Sequence, residues 1–259
     1  MQTHTIPVGE QLRAWRSRRR LSQLDLALET DISARHLSFL ETGRSRPSRG
    51  MLLRLAERLD IPARDRNLLL VAAGFAPALP ERSFDDPALA AARRAVELVL
   101  KAHEPFPALA VDRHWHMVAH NEGIGPFLVD MAPHLLAPPV NVLRLSLHPE
   151  GLAPRIVNLA EWRAHIFHRL EAQIAASADQ GLVELLAELR AYPGGTAPDG
   201  DTYGGVAVPM RIKAGEMELS FLSTTTMFGT PIDVTLTELA IETFLPADEA
   251  TAAALLGKA

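Results

Sequence analysis

Cysteine is absent from all 259 residues. That excludes disulfides, thiolate catalysis and cysteine-ligated zinc together, and it suits a reducing compartment. Long apolar runs are missing too: there is no stretch of about 18 uninterrupted apolar residues, and no apolar segment with a cleavage signal follows Met1. No block repeats at a fixed period, which excludes solenoid and propeller arrays. The chain has no G-x-G-x-x-G after a strand pattern, no phosphate loop ending in Gly-Lys-Ser/Thr and no G-x-S-x-G elbow. The expectation is a soluble, unexported, cytoplasmic chain without cofactor or membrane association.

Lysine is absent from residues 1–80, which carry 13 arginines against 8 acidic residues, a local charge of +5. The remaining residues hold 13 basic and 23 acidic side chains, a local charge of −10 that gives the whole chain −5. Such asymmetry predicts a basic head and an acidic body with different partners. The length favours two domains, and 47% hydrophobic residues suffice for two cores.

In the head, Leu12, Trp15, Leu26, Ala27, Leu37, Leu40, Leu52, Leu55 and Leu59 recur at helical spacing, broken by polar punctuation. Ser22, Ser33 and Ser48 are placed to cap helices over Gln23 to about Thr30, Ala34–Thr42 and Arg49–Leu59. Gly43 suits a left-handed residue just past a helix end, and Pro47 and Pro62 stop the helices from continuing. Only a short turn around Asp31 and Ile32 separates the second and third helices, which makes them cross as a helix-turn-helix.

The segment "LSQLDLALETDISARHLSFLETGRSRPS" resembles the XRE type of lambda-repressor-like DNA-binding domains over roughly residues 8–75. Gln23, Leu26, Ala27, Ser33, Leu40, Glu41, Gly43 and Pro47 carry that resemblance. It implies that the third helix enters the major groove, with Ala34, Arg35 and Phe39 at base edges. Gln23, Ser33 and His36 would lie near phosphates, and Arg44, Arg46 and Arg49 on the following loop would neutralise phosphates. Phe39 departs from the polar side chain common at its position, and either meets a thymine methyl or turns inward to pack. Useful affinity from so short a reading head needs two heads about 34 Å apart on one face of the duplex, so a homodimer is expected.

Beyond "LLLVAAGFAP", the proline-rich, charged stretch "ALPERSFDDP" reads as a linker, and Asp86–Pro87 opens a helix through "ALAAARRAVELVLKAH". Leu109 and Val111, a turn at Asp112–Arg113 and Val118 predict a β-hairpin. Helical patterns follow in "EGIGPFLVDM", "VNVLRLSL", "NLAEWRAHIFHRLEAQIAAS" and "QGLVELLAELRAY". "VAVPMRIKAGEMELSFLSTTTMFGTPIDVTLTELAIETFL" alternates over three strands with turns near Gly215 and Gly229, and Tyr192–Gly205 reads as a mobile loop. The sum is an α+β body built on an antiparallel sheet.

The passages "HEPFPALAVDRHWHMVAHN", "NVLRLSLHPEGLAPRIVNLAEW" and "MELSFLSTTTMFGTPIDVTLTELAIETFLPAD" resemble the ligand-binding domain of MmyB-like transcription regulators. The resemblance implies an N-terminal all-α helix-turn-helix domain and a C-terminal α+β PAS-like domain with an antiparallel sheet. Domains are expected at 1–76 (DNA binding), 77–88 (linker) and 89–259 (ligand binding). It also implies a non-enzymatic one-component sensor whose partners are double-stranded DNA and a small apolar or acyl-chain ligand, fatty-acid-like in type.

Within the body, Trp115, Trp162, Phe221 and Met227 are candidates to line an apolar pocket, and Arg113, His116 and Asn121 to orient a polar group. Each aromatic or methionine has plain core packing as its simpler reading. His114, His116 and His120 are evenly spaced and would share one face of a strand, but no carboxylate is tied to them by spacing, so no metal is expected. His165 and His168 lie three apart on a helix, where packing or exposure is the simpler reading. Two alternatives remain open: a metal-dependent enzyme carrying a DNA-localising head, and an antitoxin-like interaction protein.

Overall fold

The structure is a computed structural model that describes residues 6–195, 208–228 and 232–257. Two compact units divide the described residues, one comprising 6–82, 175–177 and 232–234 and the other the rest.

The first unit holds five helices: α1 (Val8–Arg18), α2 (Gln23–Glu29), α3 (Ala34–Glu41), α4 (Arg49–Arg58) and α5 (Ala63–Ala72). The three serines cap as expected. Ser22 accepts from the Asp25 amide while the Asp25 carboxylate accepts from the Ser22 amide, and Ser33 and Ser48 accept from the His36 and Met51 amides. Each cap is worth about 1 kcal/mol, which matters for helices of seven to ten residues. At the end of α3, Gly43 adopts φ +73°, and the amides of Gly43 and Arg44 return to the carbonyls of Leu40 and Phe39. This turn closes the helix and sets the direction of the arginine-bearing loop after it. Leu12, Trp15, Leu26, Leu37, Leu40 and Leu52 form one buried core.

Gly9 lets α1 cross the end of α3 at backbone contact: a Cβ there would sit 2.4 Å from the Leu40 carbonyl oxygen and 2.7 Å from that of Glu41. We expect Gly9→Ala to destabilise the head by about 1–3 kcal/mol, because rigid carbonyls rather than a flexible side chain must give way. Thermal melting of the variant measures this, and an unchanged midpoint would refute it.

In the second unit a 3₁₀ turn at Pro87–Leu89, capped by Asp86, leads into α6 (Ala90–Ala102). The hairpin follows as β1 (Ala108–Val111) and β2 (Met117–His120), then α7 (Gly125–Leu128), α8 (Val142–Leu147), α9 (Leu159–Ser177) and α10 (Gln180–Ala191). β3 (Met210–Ala214), β4 (Met217–Met227), α11 (Val234–Thr237), β5 (Ala240–Pro246) and α12 (Glu249–Leu255) complete it, except that the last three residues of α9 and the first of α11 count with the first unit. The five strands form one antiparallel sheet in the order β2-β1-β5-β4-β3, a PAS-like arrangement with β5 at its centre.

The period of two along β1 serves both faces of this sheet. Leu109 and Val111 join the large core formed with α7 to α10, whereas Ala108 and Ala110 pack with Val96 and Leu100 of α6. Gly215 turns the chain between β3 and β4 at φ +62°, while Gly229 and most of the Tyr192–Gly205 segment lie outside the described residues. α11 falls inside the stretch expected to alternate as strand, and α12 lies beyond the last expected element. The even-spaced histidines require a correction as well: His114 and His116 sit in the turn between β1 and β2, and only His120 is on a strand. Trp115 adopts φ +67° there, which breaks the alternation that would have aligned all three.

Candidate DNA interface and ligand cavity

The first unit presents α3 as an amphipathic helix. Leu37, Leu40 and Glu41 are buried, while Arg35 is exposed and Ala34, His36 and Phe39 are half-buried. Phe39 neither points fully inward nor stands free, because the guanidinium carbons of Arg35 and Arg44 lie 5.4 and 6.0 Å from its ring centre. The ring thus holds two cations at the head's surface, one from the helix and one from the loop beyond it. Arg35, Arg44, Arg46 and Arg49 are exposed and have no carboxylate partner among the described residues. Elsewhere in the head, Arg16, Arg58 and Arg64 are paired with Glu41, Glu29 and Glu81. Unneutralised guanidinium groups therefore stand on α3 and its following loop, where a phosphate backbone would be attracted.

Behind this surface, Glu41 accepts from Arg16 Nε at 2.6 Å and Nη2 at 2.9 Å, and from Gln23 Nε2 at 2.8 Å. Burial pushes the Glu41 carboxyl up, but hydrogen bonds from Arg16 and Gln23 and the nearby arginine charge outweigh it, and the group rests below the ordinary glutamate value. Gln23 is thereby held at the N-terminus of α2, and Ser33 is engaged as a cap. His36 has its Nε2 enclosed without a hydrogen-bond partner. Arginines of the "RSRRR" run divide their roles: Arg16 ties to Glu41, Arg19 donates to the Leu59 and Asp60 carbonyls, and Arg18 lies over the Trp15 ring at 5.0 Å.

The second unit contains a cavity of about 80 Å³ between the sheet and α7 to α9, several times what one water needs. Its wall is nearly all apolar, including Leu109, Trp115, Phe127, Leu145, Trp162 and Ile166. One corner is polar: Arg169 donates to Glu242 at 2.8 and 3.2 Å and to Thr225 at 2.9 Å, and its guanidinium lies 4.8 Å from the Trp115 ring centre. The indole nitrogens are satisfied outside that corner, with Trp115 donating to Gln173 and Trp162 to Ser146. His165, stacked on Trp162, is held below the usual histidine range by burial first and then by the Arg169 charge.

Of the seven ligand candidates named from sequence, Trp115 and Trp162 line this cavity and the other five do not. Phe221 is fully buried against Phe127, and Met227 is exposed at the end of β4. Asn121 is buried and bonded to backbone, accepting from the Ala108 amide and donating to the Leu100 and Phe106 carbonyls. Arg113 pairs with Asp179 at 3.1 Å, and His116 bonds Asp112 at 3.0 Å. Arg169 and Glu242 were not anticipated. The available signal was the stripe Trp162, Ile166, Arg169 along one face of α9, which places a charge in an otherwise apolar row.

A helix-turn-helix head joined in one chain to a PAS-like body with an apolar cavity defines a DNA-binding transcription regulator with a ligand-binding domain. Residues 7–69 match the pattern of a helix-turn-helix domain, and residues 92–256 match the MmyB-like transcription regulator ligand binding domain. Since the second match spans more than half of the chain, the protein belongs to the MmyB-like family of transcription regulators. Among solved structures it is similar to the clp gene regulator ClgR from Corynebacterium glutamicum, at 26% identity over 38% of this chain and 90% of that one, with a TM-score of 0.23. No curated protein matches it.

Proposed function

We propose that this regulator binds a two-fold operator as a homodimer and that a slender acyl-type ligand in the body's cavity alters operator affinity. The observation that carries the ligand half is the cavity itself, apolar except for Ser146, Ser223 and the Arg169–Glu242 corner. Such a wall accepts a hydrocarbon chain, and the remaining N–H groups of Arg169 suit one polar end. The pair is neutral overall, so the corner favours a hydrogen-bonding head over a bare high charge. Ligand shifts DNA binding only by its difference in affinity between the arrangements of the dimer.

In the DNA half, Arg35 reads base edges, with Ala34 and Phe39 beside it. Gln23, Ser33 and His36, together with Arg44, Arg46 and Arg49, face phosphates. The organisation is a head within 1–76, a linker at 77–88 and the body from 89 onward.

Selection of bound duplexes from a random pool tests this reading. It should return two inverted half-sites about 10 base pairs apart, centre to centre. Arg35→Ala should relax preference at one position per half-site by about 1–3 kcal/mol, whereas Arg46→Ala should weaken all sequences alike and flatten the salt dependence. Single, unpaired sites, or an Arg35→Ala variant with unaltered preference, would sink the proposal.

A further inference from the structure

The turn between β1 and β2 gathers groups that DNA reading and ligand binding leave unused. Asp112 Oδ1 accepts from the backbone amides of both His114 and His116 at 2.8 Å, which fixes the carboxylate inside the turn. Its second oxygen, Oδ2, then lies 3.0 Å from His116 Nδ1. His114 meets Asp179 through Nε2 at 2.9 Å. A carboxylate can only accept, so this bond puts the His114 proton on Nε2 and leaves Nδ1 with its lone pair free to ligate. One donor atom from each of Asp112, His114 and His116 lies within 4.8 Å of the other two, and all three residues are half-buried.

We infer that Asp112, His114 and His116 form a site for a divalent transition ion of the zinc class, with Asp179 orienting His114 from behind. Donors about 2.1 Å from a tetrahedral ion stand roughly 3.4 Å from one another, so the Asp112–His116 separation of 3.0 Å is already close, and the His114 nitrogen, within 4.8 Å of both, must move by up to about 1.4 Å. Two imidazoles and a carboxylate, with open positions left for water, select zinc, nickel or cobalt over calcium or magnesium. The ion takes the place of the proton that His116 Nδ1 shares with Asp112. Arg113 lies 3.1 Å from Asp179 and 3.9 Å from Glu238, so its charge is answered by carboxylates outside the three ligands. Trp115 stands between the two histidines and lines the ligand cavity, so an ion here stiffens the turn that carries one cavity wall.

His134, His148 and Glu150 form the other such cluster among the described residues. It is the weaker one: the His134 and Glu150 side chains are 59% and 65% exposed, and His148 Nδ1 already accepts the Glu150 amide.

The test is equilibrium dialysis of the untagged full chain against buffered zinc, with bound metal counted by mass spectrometry. One zinc per chain is expected. His114→Ala and His116→Gln should each weaken binding at least tenfold, Asp179→Asn about tenfold through the lost orientation, and the paired His134→Ala, His148→Ala variant not at all. His116→Gln keeps a hydrogen-bonding side chain in the turn, and a melting midpoint matching the parent's shows that it remains folded. Absence of stoichiometric zinc would overturn the inference, as would zinc retained by both turn variants or lost on changing His134 and His148.

Discussion

Glu41→Ala is expected to lower the stability of the DNA-binding head by about 3 kcal/mol. The substitution removes one partner of a buried ion pair and leaves the other uncompensated, a change that typically costs 3–5 kcal/mol. Glu41 is 2% exposed in its side chain and Arg16 12%, and the pair is bidentate, which places it in that class rather than among surface pairs. Gln23 loses its acceptor in the same step, so the start of α2 loosens as well as its packing on α3. Glu41→Gln keeps shape and an acceptor but removes the charge, and should fall between the two. Denaturant unfolding followed by Trp15 fluorescence, in a chain whose Trp115 and Trp162 are changed to Phe, reads the difference, and a loss below about 1 kcal/mol for the alanine variant would contradict the expected pairing.

The same residue sets a pH response. Its folded-state carboxyl titrates below the ordinary value of about 4.3, so the stabilisation is fully present above that value and is lost as pH falls through the depressed one. Acid should therefore unfold the parent's head more steeply than that of Glu41→Gln, measured as midpoint against pH below about 4.5.

The second large effect concerns the cavity. Glu242 sits on the central strand β5 with its side chain 4% exposed, and Arg169 is its countercharge. Arg169→Met should destabilise the body by roughly 3 kcal/mol because it strands that carboxylate. Adding Glu242→Leu should restore most of the loss, since an apolar pair can replace a buried ion pair at little cost. The single and double variants thus separate stability from recognition: the restored double variant should keep its apolar cavity and still discriminate poorly between an acyl acid and an alkane of equal length. A double variant that discriminates like the parent would show that the corner does not read the polar end.

Much of the head was legible from short-range rules. Ser22, Ser33, Ser48 and Gly43 act within a few residues of themselves, so their roles follow from local spacing. The same holds for Asp86 ahead of α6 and for Leu109 and Val111 in β1. What escaped depends on distance or on backbone handedness. Arg169 meets Glu242 across 73 positions, and neither residue's neighbours announce the other. Trp115 enters the left-handed region, which an aromatic residue rarely does, and this turns His114 and His116 out of strand geometry and toward Asp112. Asn121 carries polar groups that suggest a ligand, yet the backbone of a buried loop takes all of them. α11 and α12 are too short, at four and seven residues, for a helical period to stand out.

Native mass spectrometry of the full chain with excess straight-chain fatty acids tests the central claim most directly, when compared with the denatured mass. A dimer carrying one acyl ligand per chain is expected, the ligand being released on denaturation and reduced when Ile166→Phe narrows the cavity. A monomer, or a dimer that takes up no such mass, would contradict it.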